Sequence, residues 1–465
     1  RFIFPLLDVS EAGAVIETYF TPFAAQRDSE DAPPLASTVA KLRRGAQMGV
    51  LYDAYTYPAF AAVMLEAFRE RAEIETAKGG KIIFTQLRPL TSTPETAAAD
   101  VELLDAGRHH STLVLDKRLA LKIYRRLETG AHPEVEIGRF LTEVAKFPST
   151  PPFLGAVEYR DAEGASWTLA ALRRFVRCQG DAWTWTLEAL KRILEALAMA
   201  PAQTDHGDEA APAGFSTYTP HMKRLGLRTA EMHLALATPT EDPAFQAEPL
   251  TLSDVRESVA RLREAAARSF QTLKAINQGE GVSPAVERLL GRCDECFGLI
   301  KLLEQEPLGA IKIRIHGDYR LGCALVVKDD VIIVGFDAGE SDGAADRRAK
   351  ASPLRDVASM LRSFAQVVAA AERSIVELVP DPAMAASRLS EELVEFSEIF
   401  VNSYMSATRG GPTWIEDQGT RRRLLVLYLL AAAFDEIIRA ADPWSTIEIA
   451  AKGVNGVLDR AARLF

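Results

Sequence analysis

Two short apolar runs, Ala310–Ile315 and Val331–Phe336, interrupt a carboxy-terminal stretch that otherwise has helical periodicity, and His316-Gly317-Asp318 stands between them. Around them the apolar spacing predicts helices over 186–198, 222–236, 252–277, 284–304, 353–371, 390–406 and 421–439. The pattern requires a mainly helical region with one β interruption and argues against a continuous parallel sheet. The stretch Ala200–Thr217, rich in Pro, Gly and acids, reads as a surface excursion.

The preceding half of the chain is mixed. Short β-like runs at 2–9, 38–42 and 81–87 flank a helix over 57–74, in which Phe60, Met64, Leu65 and Phe68 recur at helical spacing. A Thr/Ser/Pro loop at Leu90–Thr96 separates this part from the next. There a strand at 112–115, a turn at Asp116-Lys117 and a strand at 119–124 carrying Lys122 precede a helix over 134–145, opened by Pro133 with Glu in its first turn. A hairpin, 153–159 and 167–175, follows around Asp161-Ala162-Glu163-Gly164. With 465 residues the chain is too long for one core. The expected division is a cap subdomain at 1–95, a small lobe at 96–180 and a helical lobe at 181–465, with the catalytic-loop region at 310–364.

Composition narrows the function. A formal charge of −10 leaves no basic excess for nucleic acid. The longest apolar run, Leu424 to Phe434, is too short to span a bilayer, so no membrane partner is expected. Four cysteines in this length do not make a disulfide framework, which points to reduced thiols and a cytoplasmic location. The chain enters a strand-like run directly after Arg1, as expected of a domain cut from a longer or fused polypeptide.

Strand, lysine, helix with glutamate and hairpin, followed by helices and an acidic loop, is the order of a protein-kinase-like fold. Phosphoryl transfer needs cations on the phosphates, an acid beside the acceptor hydroxyl, and metal ligands at fixed offsets from it. Asp318 takes the place of the catalytic-loop acid. The metal-ligand position five residues on is Cys323, and the next strand leads through Gly335 to Asp337. Upstream, Lys122 and Glu136 are expected to pair beside the nucleotide phosphates.

On these residues, and most distinctively on Ser352-Pro353-Leu354-Arg355-Asp356-Val357-Ala358, the chain resembles the bacterial maltokinase family over nearly its whole length. Further matches are the segments 121–128, 136–143, 179–187 and Arg228-Thr229-Ala230-Glu231-Met232-His233. The resemblance implies an α+β, bilobal kinase-like fold with a mixed α/β amino-terminal cap, ATP and Mg²⁺ as cofactors, maltose phosphorylated at C1, and trehalose synthase or another α-glucan enzyme as partner. The family's catalytic run is His-Gly-Asp-Tyr-His-Leu-Gly-Gln, followed by Asp-Phe-Glu-Gly-Glu-Pro. In this chain Asp318 keeps its position. Arg320 replaces the second His, Cys323 the metal-binding Gln, Gly335 the metal-binding Asp, and Asp337 the Glu two residues on. A thiol is a poor ligand for magnesium, and glycine offers none.

The phosphate-facing turn, Arg108-His109-His110-Ser111-Thr112, and the sugar-site helix, Ala431-Ala432-Ala433-Phe434-Asp435-Glu436, also depart from the family pattern, as does Ala440-Ala441-Asp442-Pro443. The expected function is a maltokinase-like domain impaired in catalysis, a pseudokinase. The alternatives are an active ATP-dependent sugar kinase holding metal through Asp337, and a small-molecule phosphotransferase that shares only the fold. Cys293-Asp294-Glu295-Cys296, Trp183 and Trp185 read as helix packing. His109-His110 and Arg421-Arg422-Arg423 read as solvated, and Arg173-Arg174-Phe175-Val176 falls where a hinge would meet adenine.

Overall fold

The computed structural model describes residues 2–11, 14–27, 37–90, 100–106, 109–199, 218–276, 283–337, 347–375, 382–440 and 445–461. They form two compact units, one running to Arg177 and the other starting at Cys178. The expected excursion at 200–217, most of the loop at 90–96, Arg108 and residues 441–443 lie outside the described residues.

The first unit is built on antiparallel sheets. Its largest has seven strands in the order Glu73–Glu75, Lys81–Gln86, Phe153–Arg160, Ser166–Arg174, Leu119–Tyr124, His110–Leu115 and Val101–Ala106. A four-stranded sheet (Phe2–Ile3, Phe23–Arg27, Gln47–Asp53, Thr38–Arg44) and a three-stranded one (Arg126–Leu127, Ala14–Phe20, Leu6–Glu11) complete it. One apolar cluster runs through the unit, joining Phe20, Tyr52, Phe60 and Phe84 to Leu121, Phe153 and Leu172. The strands Glu73–Glu75 and Lys81–Gln86, grouped with the cap in the sequence, belong to the same sheet as Lys122. Helix Pro58–Glu70 stops short of the expected 74 because Arg71 turns into the left-handed region at φ 51° and caps it.

The second unit is mainly helical. Helices Ala182–Met199, Thr219–Leu236, Leu252–Ile276, Leu354–Ile375, Pro382–Thr408 and Gln418–Arg439 overlap the spans the periodicity predicts, and the one expected from 390 begins two turns earlier, at Pro382. The helix expected over 284–304 is two, Pro284–Gly291 and Cys293–Leu302, broken at Arg292, whose φ of −108° and ψ of 17° are not helical. A final helix, Ser445–Ala461, had no sequence counterpart.

The β interruption is also rearranged. Ile311–Lys312 pairs with Glu248–Pro249, and Asp330–Ile333 pairs with Ala324–Val327. The two expected strands thus belong to separate small sheets.

Arg362 ties three helices of this unit together. Its guanidinium donates bidentately to Glu436, at 2.9 and 2.6 Å, and to the Ile449 carbonyl at 3.3 Å. Gly453 lets the last helix come this close, since a β-carbon there would collide with the Arg362 guanidinium. Gly456 has only an ordinary contact, 3.6 Å to Arg460. Gly453→Ala should therefore destabilise the protein by about 1–3 kcal/mol through overpacking. Gly456→Ala should stabilise it by up to about 1 kcal/mol through helix propensity. Urea denaturation of both variants checks the contrast.

Candidate functional site

In the first unit the sheet presents Lys122 from the strand Leu119–Tyr124, paired to Ala171 on one side and Thr112 on the other. The carboxylate 3.0 Å from Lys122 Nζ is that of Glu134, two residues before the expected Glu136. The helix begins at Pro133, so Glu134 lies in its first turn facing the sheet. Glu136, two residues further along the helix, is half-buried. Arg173, at the end of the strand Ser166–Arg174, also pairs with Glu134, and Tyr124 donates a 2.7 Å hydrogen bond to it.

Burial alone would raise the Glu134 pKa. Arg173 first, then Lys122, His132 and the Tyr124 hydroxyl, outweigh burial and hold the carboxyl far below the usual range. Arg173, in the stretch expected to meet adenine through its backbone, uses its side chain to pair with the buried acid. Removing one member of such a pair leaves uncompensated charge in the core. Glu134→Gln should cost on the order of 3–5 kcal/mol, as read by urea denaturation.

In the second unit a buried carboxylate organises the loop around Asp318. Asp356, fully buried at the start of helix Leu354–Ile375, accepts the backbone N–H groups of His316 (2.8 Å) and Gly317 (3.0 Å). It also faces His233 Nε2 at 3.1 Å, and His233 Nδ1 lies 3.0 Å from the Tyr404 hydroxyl. A carboxylate can only accept, so Nε2 carries a hydrogen toward Asp356. Burial would raise the Asp356 pKa. The His233 hydrogen bond and charge, then His316 and the Gly317 amide, reverse the sign and lower it.

The loop is fixed further by the Tyr319–Thr229 hydroxyl contact at 2.9 Å and by the Leu321 amide donating to Ser363 at 3.1 Å. Arg228 forks onto Asp330 at 2.7 and 2.5 Å, holding the hairpin 324–333 to helix Thr219–Leu236. The matched segment at 179–181 adds to that hairpin through Gln179 N–H to Val326 (2.8 Å) and Val326 N–H to Gly180 (2.9 Å).

Asp318 itself is partly exposed, with Arg320 Nε 3.4 Å from its carboxylate. Cys323 is 8% exposed, and its thiol donates to the Asp318 backbone carbonyl at 3.3 Å. Gly335 has φ 84°, a conformation that side-chain-bearing residues rarely adopt. A β-carbon there would lie 3.4 Å from Cys323 Sγ and 3.8 Å from Asp337 Oδ1. The strand ends at Ile333, and Asp337 follows a turn rather than an extended i, i+2 step, yet its carboxylate still reaches the space beside Gly335. Its backbone carbonyl accepts from Arg347 at 3.3 Å.

Against magnesium the donor set fits poorly: a soft thiol at 323, no side chain at 335, and one hard carboxylate at 337. Among the described residues no three metal-ligating side chains converge.

The His316 ring, 1% exposed, packs on Phe336 (4.7 Å between ring centres) and Tyr319 (5.1 Å). Its Nε2 lies 2.9 Å from the Val334 carbonyl. Burial would depress its pKa, but the neighbouring Cys323 sulfur, the Asp356 carboxylate and the Val334 carbonyl push it up to about 9.

The sequence reading picked out the segments holding Asp356 and His233 without giving those residues roles. A carboxylate that organises a backbone loop carries no local signature in the sequence.

No protein-family model matches the chain. The structure is similar to a glucosamine kinase in complex with glucosamine, ADP and inorganic phosphate, at 18% sequence identity over 98% of this chain and 94% of that one, with a TM-score of 0.65. Glucosamine kinase crystal forms A and B align with a TM-score of 0.64. They show 18% and 16% identity and cover 98% and 99% of this chain against 91% and 94% of theirs. At such identities the likeness establishes the fold, and the fold is a mixed α/β, kinase-like one.

The lowered Asp356 pKa has a sign to check. Its stabilising contribution is complete above the unfolded-state value of about 3.9 and is lost as pH falls through the lower folded value. Stability should therefore decline on acidification below about pH 4. Asp356→Asn should lower stability at neutral pH by about 3 kcal/mol and flatten that acid decline, as followed by urea denaturation across pH.

Proposed function

We propose that this chain is a sugar-kinase-type domain that keeps the phosphotransferase scaffold and has lost most of its capacity for metal-assisted transfer. One observation carries the reading. At the two positions where the maltokinase pattern places hard oxygen ligands, the chain has a thiol bonded to its own loop and a glycine at positive φ. Magnesium binds through oxygen donors in strict octahedral geometry, and phosphoryl transfer depends on its charge. The glucosamine kinase likeness and the maltokinase resemblance both favour a sugar, a hexosamine or maltose, as the ligand the scaffold descends from. A structural or regulatory role beside an α-glucan enzyme such as trehalose synthase, in the cytoplasm, is the corresponding use of a domain that folds without catalysing.

A second reading has its own observation. The Asp337 carboxylate comes within 3.8 Å of the position a side chain at 335 would occupy, so one hard ligand is available near the expected place. On that reading Asp318 is the base, Lys122 contacts nucleotide phosphate, and ATP is used with magnesium.

Thermal denaturation with ATP, with and without magnesium, separates the two, because a ligand of the native state raises Tm by mass action. The impaired reading expects no magnesium-dependent rise, and no transfer of phosphate to glucosamine or maltose. A magnesium-dependent rise abolished by Asp337→Asn, with turnover on the order of 1–100 per second lost in Asp318→Asn, would establish the active enzyme instead.

A further inference from the structure

The helix Cys293–Leu302 carries two groups for which phosphoryl transfer has no use. Its first and fourth residues, Cys293 and Cys296, are both free thiols. Helix packing accounts for Cys296, which is completely buried. It does not account for Cys293, half-buried at the helix start. A reachable thiol one turn ahead of an enclosed one is the layout of a dithiol couple.

The spacing suits a bond between them. In an α-helix the Cα atoms of residues i and i+3 lie about 5 Å apart, inside the range of about 4.4–6.8 Å over which a disulfide closes. Side chains three apart also share one face of the helix. The Cys296 amide donates to the Arg292 carbonyl at 2.9 Å and so closes the turn that carries both sulfurs.

Arg292 anchors that turn. Its guanidinium forks onto Glu295, both contacts at 2.7 Å. It also reaches Asp459 at 2.8 Å and the Asn455 carbonyl at 3.2 Å, both on the helix Ser445–Ala461. The break at Arg292 ends the helix before it, which makes Cys293 a first helical position rather than an interior one. We propose that Cys293 and Cys296 form a thiol–disulfide exchange site, closed to an intramolecular disulfide by small disulfides.

The exchange runs in two steps. Cys293 gives its proton to solvent and attacks one sulfur of the small disulfide. A mixed disulfide forms, the original S–S bond breaks, and the first small thiol leaves after taking a proton from solvent. Cys296 then attacks the Cys293 sulfur. The mixed bond breaks, and the second small thiol leaves with the proton that Cys296 gives up. The protein dithiol loses two electrons and two protons, and the small disulfide gains both. Burial pushes the Cys296 thiol up to about 12, so it keeps its proton until the mixed disulfide lies against it. The exchange needs neither nucleotide nor sugar, and it stands or falls apart from the kinase reading.

The native chain is incubated with glutathione disulfide, quenched in acid, blocked with N-ethylmaleimide, digested with trypsin and analysed by mass spectrometry without reduction. Cleavage after Arg292 and Lys301 puts both sulfurs in one peptide, 293–301. That peptide should be lighter by two hydrogens and should regain them in dithiothreitol. The exposed Cys178, with no second thiol near it in sequence, should stop at the mixed disulfide. In urea the ratio of intramolecular bond to mixed disulfide on 293–301 should fall about tenfold, because the helical turn no longer holds the sulfurs together. Cys296→Ala, where circular dichroism shows it folded, should trap the mixed disulfide on Cys293. Folded Cys293→Ser should leave the buried Cys296 unmodified. Should either variant fail to fold, the masses from the native chain and from urea decide alone. A native chain in which Cys293 keeps a mixed disulfide, or in which Cys178 reacts and the pair does not, overturns the proposal. So does a pair that closes as readily in urea, or modification of Cys296 in folded Cys293→Ser.

Discussion

The Asp318 loop of the second unit depends on one carboxylate. Asp356 is fully buried, and its oxygens receive two consecutive backbone amides and a histidine. Burying an ionised carboxyl costs several kcal/mol unless its lone pairs are used, so the three donors and the charge are mutually required. The consequence is positional. The amides of His316 and Gly317 are fixed, and with them the direction in which the chain enters Asp318. The helix Leu354–Ile375 that carries Asp356 is held by Arg362 to Glu436, so the loop inherits the rigidity of the helical layer behind it.

Glu134 plays the matching part in the first unit. It brings Lys122 and Arg173, from two paired strands, onto one helix. Both devices put a buried acid at the first turn of a helix, where the macrodipole favours negative charge, and both gather cations or amides from neighbouring elements. Neither is a surface ion pair, which would be worth little.

Much of this was legible in the sequence. Long helices such as Leu252–Ile276 declare themselves because one face is apolar and the other charged. The strand with Lys122, the hairpin after it and the Asp318 loop were placed correctly by alternation and by the turn residues between them. The short amino-terminal strands were less visible. Leu6–Glu11 is exposed along nearly its whole length, so no buried face imposes alternation on it. The last helix was hidden by Gly453 and Gly456, residues that read as breakers until the packing on Arg362 explains the first.

The same physics explains how a loop of this kind can change its chemistry while its shape persists. The loop backbone is carried by Asp356, Ser363 and the Tyr319–Thr229 contact, none of which involves the side chains at 318, 320, 323 or 335. Cys323 even supplies a hydrogen bond of its own to the Asp318 carbonyl, so a thiol can hold the turn without holding a metal. At 335 the backbone lies in a region that favours glycine, so an aspartate introduced there would carry a conformational cost that glycine does not. Scaffold and chemistry are thus separable at this site. Replacement of the buried acid behind the loop is expected to cost far more folding energy than substitution of the partly exposed Asp318.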